Sequence, residues 1–259
     1  MTHPLYGRLR PVTPYASVLL ADNPSPMTLD GTNTWLLRAA DSEACLVVDP
    51  GPDDPEHLRR VAAHGPVAGI LLTHGHPDHA DGAALLHELT GAPVRALDPA
   101  HRLGGEGLGE GDVVAAAGVE VRVLATPGHT GDSLSFTVGD AVLTGDTVLG
   151  RGTTVVAHPD GRLVDYLASL RRLHDWAGEH GTRTVLPGHG PELPDLATVT
   201  AAYLLHRRQR LEQVRAALEL LGPDAAPMDV VRHVYAEVDP ALWPAAEWSV
   251  RAQLEYLRG

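Results

Sequence analysis

Residues 71–82 read LLTHGHPDHADG, and three histidines and two aspartates fall between His74 and Asp81. The apolar residues before them read as the end of a strand, AGILLTH over 68–74. A strand-to-loop junction gains no stability from so many polar rings, so they need something to hold. His74 and His76 can wrap one point from a loop. Asp78 and His79, at the start of the helix that follows, can face a second point nearby. Lysine is absent from the chain and cannot neutralise the aspartates. Imidazoles beside a carboxylate form a metal-ligand set whose nitrogen and oxygen donors suit zinc best, with Mn, Fe or Co also compatible.

A two-metal centre uses about seven protein ligands with one carboxylate shared, so the chain should offer more. It does: TPGHTGDS supplies His129, LTGDTVLG supplies Asp146 and VLPGHGP supplies His189. Each follows a predicted strand, where loops converge at one sheet edge. Gly128, Gly145 and Gly188 precede the three residues and allow close backbone approach.

The motif H-x-H-x-D-H at 74–79, followed in order by His129, Asp146 and His189, resembles the metallo-β-lactamase superfamily. The resemblance covers about residues 15–195 and implies an α/β fold, the four-layer αββα sandwich. The stretch LDGTNTWLLR (29–38) and the helical tail resemble the branch containing beta-lactamase-like protein 2, an endoribonuclease. Carried over, His74, His76 and His129 hold a first metal, Asp78, His79 and His189 hold a second, and Asp146 bridges. The implied nucleophile is a hydroxide between two zinc ions, because coordination lowers the pKa of water from about 15.7 to about 7. Asp78 and Asp146 are the implied catalytic carboxylates, Asp78 as an orienter of the nucleophile. Asn33 and Thr34 are placed near the metals on the same ground. No G-x-S-x-G elbow offers a serine alternative.

Composition limits the setting. The 20 basic residues are all arginine and Ile70 is the only isoleucine, a usage that points to a high-GC bacterial gene. A net charge of −13 argues against a protein that coats nucleic acid or an anionic membrane. The single cysteine, Cys45, lies in the apolar run ACLVVD and reads as a buried strand residue. MTHPLYGRLRPVTP has no apolar leader and no stretch approaches a membrane span, so a cytoplasmic enzyme is expected.

Short β runs at 15–21, 33–38, 44–50, 68–74 and 93–98 alternate with helices opened by Asp54-Pro55 and near Asp78. Residues 111–145 read as antiparallel strands with a Gly139-Asp140 hairpin turn. Leu163, Tyr166, Leu167, Leu170, Leu173 and Ala177 mark one buried helix face, and TRTVLP (182–187) a further strand. Two domains are expected: a catalytic domain over 1–199 and a C-terminal helical, partial winged-helix-like module over 200–259. The module's first helix carries a stripe of Leu204, Leu211, Val214, Leu218 and Leu221.

Other residues carry competing readings. Asp49 either supports a metal-bound histidine or shapes a turn with Pro50-Gly51. His158 either reaches the cleft or is structural. His57, 64, 87, 101, 174, 180, 206 and 233 read as solvated. GGEGLGEGD (104–112) is a loop, because its acids repel phosphate. HRRQR (206–210) reads as a solvated helix face and as the best local candidate for phosphate contacts.

The function expected is therefore metal-dependent hydrolysis, leaning to phosphodiester cleavage in single-stranded RNA. The alternative is a small ester or thioester, of glyoxalase II-like type, which the acidic charge favours. A further alternative makes the tail a docking module for a partner or a homodimer, with catalysis secondary. Redox diiron chemistry is disfavoured, since relatives of that kind carry a carboxylate at the position of Pro77.

Overall fold

The computed structural model describes residues 3–181 and 183–258. Thr182, the first residue of the strand expected at 182–187, lies outside the described residues, as do the outermost residues of both expected domains. One sheet has six strands in chain order: Arg10–Pro11 (β1), Ala16–Leu20 (β2), Asn33–Leu37 (β3), Cys45–Val48 (β4), Val67–Leu71 (β5) and Val94–Arg95 (β6). The second contains Val113–Ala116 (β7), Val119–Ala125 (β8), Leu134–Val138 (β9), Ala141–Gly145 (β10) and Thr184–Pro187 (β11), ordered β11-β10-β9-β8-β7. The helices are Pro55–Ala62 (α1), Pro77–Ala80 (α2), Gly82–Thr90 (α3), Leu163–His180 (α4), Leu196–Leu221 (α5), Pro227–Val234 (α6) and Trp243–Arg258 (α7).

Strand alternation builds the layers. Val18, Trp35, Leu46, Val48 and Leu71 of the first sheet meet Val121, Val123, Phe136, Leu143 and Leu186 of the second in the central core. The opposite faces are also apolar: Leu36, Cys45, Val47 and Ile70 pack under Leu58 of α1 and Leu86 of α3. Val142 and Val185 pack under Tyr166, Leu170 and Leu173 of α4. Strands covered on both faces read as continuous apolar runs, which is why ACLVVD and AGILL show so little alternation.

Three parallel pairs, β4/β5, β5/β6 and β10/β11, are each joined through helices that cross over the sheet. The segments that leave β5, β8, β10 and β11 carry residues 74–79, 129, 146 and 189, and together they deliver the polar cluster to one edge of the sandwich.

Four details differ from the sequence reading. The helix expected from 78 to 90 breaks into α2 and α3, because the Gly82 N–H leaves the helical ladder and donates to the Gly51 carbonyl at 2.9 Å. The run 112–126 folds back on itself at Ala117 and Gly118, both at positive φ (53° and 72°), giving the hairpin β7–β8. His57 is buried rather than solvated, with 4% of its surface exposed. The stripe on α5 is also displaced: Leu196, Tyr203, Arg207, Leu211 and Val214 are buried, whereas Leu221 is exposed.

The helix α5 runs without a break across residues 199 and 200. Its N-terminal half joins the α4 core through Leu196, Tyr203 and Leu211. Further along, Val214 and Ala217 join Val230, Val231, Val250 and Leu254 in a separate small core with α6 and α7. Cys45 is buried in β4, and residues 104–112 are irregular. Among the described residues no helix is long and apolar enough to cross a membrane.

Candidate metal centre

All seven residues singled out in the sequence converge. His74, His76 and His129 form one group whose ring nitrogens lie within 4.8 Å of one another, and Asp78, His79 and His189 form a second. A third group, His74, His79 and Asp146, overlaps both, so Asp146 stands between them. Its Oδ2 lies 3.7 Å from His129 Nε2 and 3.5 Å from His189 Nε2, and its Oδ1 3.4 Å from His79 Nε2. Asp78 Oδ2 lies 3.0 Å from His189 Nε2.

Hydrogen bonds behind the rings decide which nitrogens face inward. His79 donates from Nδ1 to Asp49 Oδ2 at 2.8 Å, His129 from Nδ1 to the Val155 carbonyl at 2.6 Å, and His189 from Nδ1 to the Gly31 carbonyl at 3.1 Å. The Thr73 hydroxyl donates to Asp49 Oδ2 at 2.7 Å, so its oxygen is left to accept from His74 Nδ1 at 3.0 Å. Each of these four rings therefore turns Nε2, rather than Nδ1, toward the centre. Asp49 also accepts from the Thr73 N–H at 2.8 Å. Its backbone sits at φ 52°, uncommon for a non-glycine residue. Of its two readings, support of a histidine is the one its hydrogen bonds show.

The donor set fits a cation. His74 Nε2 is buried with no hydrogen-bond partner, a cost that ligation removes. His76 Nδ1 and His129 Nε2 are 3.1 Å apart, as are the Nε2 atoms of His79 and His189. Ring nitrogens this close share either a proton or a cation, and nitrogens on one tetrahedral zinc stand about 3.3 Å apart. Gly188 approaches closely enough that a Cβ there would lie 2.6 Å from Asp146 Oδ1 and 2.7 Å from His79 Cε1. Gly128, at φ 133°, similarly lets the His129 loop rest on the Tyr166 backbone.

Electrostatics separates the groups. Burial pushes His74 and His76 below the ordinary imidazole value and His129 down to about 4, leaving neutral rings. Burial opposes charge on His79 and His189 too, but Asp146 beside both raises them, His189 to about 9. Asp146 is itself buried, yet His189 and His79 hold it well below the carboxylate range. A divalent cation entering the second group must therefore displace protons that the carboxylates now retain.

The remaining candidates have other roles. Asn33 Nδ2 donates to the carbonyls of Pro187 and Gly190, at 3.0 and 2.8 Å, pinning the His189 loop. Thr34 Oγ1 lies 2.9 Å from Nε2 of the buried His57. His158 pairs with Glu255 of α7 at 3.2 Å, which is the structural alternative. Within HRRQR, Arg207 is 3% exposed, donates to the Thr154 carbonyl and stacks over Tyr166 at 4.9 Å. Arg210 lies over Tyr235 at 4.6 Å. The solvated-face reading therefore fails for Arg207. Thr154 in turn donates to the Asp146 carbonyl, and the Tyr166 hydroxyl donates to the Thr147 carbonyl at 2.7 Å. Sequence reasoning missed this chain of supports, as it missed Thr73, because carbonyl partners leave no residue-type signal.

The metallo-beta-lactamase superfamily model matches residues 27–228, and a beta-lactamase associated winged helix domain model matches residues 226–258. The beta-lactamase-like protein 2 homolog of Drosophila melanogaster is 30% identical, over 92% of this chain and 86% of that protein. An atrochrysone carboxyl ACP thioesterase of Aspergillus chevalieri is 32% identical, over 80% of this chain and 67% of that protein. A beta-lactamase domain protein from Burkholderia ambifaria, 24% identical, superposes with a TM-score of 0.82 over 99% of this chain and 89% of that one, and shares the fold. The αββα sandwich and the ordered histidines and aspartates at its edge agree with these matches: the chain belongs to the metallo-beta-lactamase superfamily.

Proposed function

We propose that the protein is a dinuclear zinc hydrolase acting on a small ester or thioester. The observation that carries the metal reading is the convergence of two donor groups on a shared Asp146. His74, His76 and His129 would hold one ion, Asp78, His79 and His189 the other, and Asp146 both. Two such ions supply Lewis acidity, activating water near neutral pH and polarising the carbonyl under attack. The chain's own residues do the rest. Asp78, with 28% of its side chain exposed, orients the incoming water at Oδ2. Asp49, Thr73 and the Val155 and Gly31 carbonyls keep the rings aimed.

The choice of substrate rests on charge. The sequence put single-stranded RNA first, with HRRQR as its phosphate contact. Arg207 is spent on Thr154 and Tyr166, and Arg210 on Tyr235, which leaves Arg208 as the one uncommitted arginine of that knot among the described residues. The net charge of −13 disfavours a polyanion. The thioesterase relative adds support for a thioester. RNA cleavage stays as a second reading because the match to the beta-lactamase-like protein 2 homolog spans 92% of the chain.

The test offers the zinc-loaded protein a panel of aryl esters and acyl thioesters beside an end-labelled single-stranded oligoribonucleotide at low salt. Turnover of esters or thioesters is expected. Cleavage of the RNA alone would overturn the small-substrate reading.

A further inference from the structure

Beside the His189 loop, a cavity of about 210 Å³ opens between the N-terminal segment, β2 and residues 190–191. Its apolar floor includes Leu5, Val18 and Leu20, and three arginines, Arg8, Arg10 and Arg151, line it as well. For scale, a cavity of about 150 Å³ admits benzene, so this one holds a single aromatic ring or a short acyl chain with a polar head.

The three guanidinium groups are not equivalent. Arg10 is held by Glu192 in a bidentate pair at 2.9 and 2.7 Å, and Arg151 by Asp30 at 2.8 and 3.0 Å. Those two charges are cancelled and fixed in place. Arg8 is exposed, and its guanidinium has no hydrogen bond or ion pair among the described residues. Arg10 Nε is a buried donor without a partner. The cavity thus carries about one uncompensated positive charge over an apolar floor. That combination selects a single negative charge on an apolar stem. A neutral ligand would leave Arg8 unanswered, and a polyanion would face Asp30 and Glu192.

The cavity wall is continuous with the metal-centre loops. Gly190, in the wall, directly follows His189, and the Gly150 N–H, next to Arg151, donates to the His189 carbonyl at 2.9 Å. We propose that this cavity receives the anionic end of the substrate, a monocarboxylate on a short acyl chain or a single aromatic ring. The proposal rests on the small-ester reading above.

The test uses the zinc-loaded chain and two surface variants, Arg8→Glu and Leu5→Trp, neither of which replaces a core residue. Calorimetry compares 4-phenylbutyrate with its neutral amide, and kinetics compares 4-nitrophenyl hemisuccinate with 4-nitrophenyl acetate. The wild type is expected to prefer the carboxylate in both comparisons. Arg8→Glu should cut the kcat/KM ratio and the phenylbutyrate affinity about tenfold, and Leu5→Trp should weaken phenylbutyrate binding by filling the cavity. Equal affinity for acid and amide, or preferences untouched by both variants, overturns the proposal even if both esters are hydrolysed. Arg8-dependent binding of phenylbutyrate without turnover of either ester would instead leave the cavity assigned and sink the small-ester reading.

Discussion

The two candidate ligand groups flank Asp146 but are prepared differently. The group of His74, His76 and His129 is neutral, with rings aimed by a hydroxyl and a backbone carbonyl. The group of Asp78, His79 and His189 is charged: it owns a carboxylate, and Asp49 stands directly behind His79. A cation entering the first group finds ready lone pairs. One entering the second gains more Coulombic attraction but must first expel protons. The two positions should therefore fill in separate, distinguishable steps.

The most severe way to break this comparison is to remove what the groups share. Asp146→Ala should drop metal content well below two ions per chain and lower kcat/KM by at least about a thousandfold, while circular dichroism stays native. Elemental analysis beside turnover checks this; full metal content with retained activity would refute the shared carboxylate. Asp49→Asn sharpens the contrast. It should weaken metal affinity about 10- to 100-fold, more at the second group, because Asp49 reaches the first only through Thr73. Chelator competition should show one of two steps displaced further than the other.

Arg207→Met tests the support beneath Asp146. It strands the Thr154 carbonyl and costs about 1–3 kcal/mol, lowering Tm by several degrees with a smaller loss of kcat. The smallest effect belongs to His57, beside Thr34. Burial lowers its pKa to about 4 from an ordinary 6.5. Between those values the unfolded chain binds the extra proton, so stability falls as pH drops from 6.5 toward 4. The loss is about 1 kcal/mol at pH 5.5. Urea titrations across that range should show a flatter pH dependence for His57→Gln than for the wild type.

Much of this was legible in the sequence because the chemistry is local. His74 to His79 sit within six positions, and the distant ligands each follow an apolar strand run and a glycine. The face of α4 followed from 3–4 periodicity. Asp49 was visible but ambiguous, since VVDPG makes a turn equally well. Two things were not legible. Arg207 looks like solvated charge because its partners are a backbone carbonyl and a ring forty residues upstream, neither of which periodicity records. His57 sits on a short amphipathic helix whose depth depends on loop 50–52, a tertiary matter. In both cases burial of a polar side chain was decided by partners far away in the chain.

The long helix α5 has one more consequence. It passes Tyr203 to Leu149 and Arg207 to Thr154, so the stretch after Asp146 is gripped by residues synthesised well after it. While the chain is still emerging from the ribosome, the imidazoles of residues 74–79 are already made but the carboxylate they share has no fixed station. On the dinuclear reading, capture of both ions therefore awaits the docking of α5. A single proteolytic cut within α5 would disarm the centre without removing one of its seven side chains.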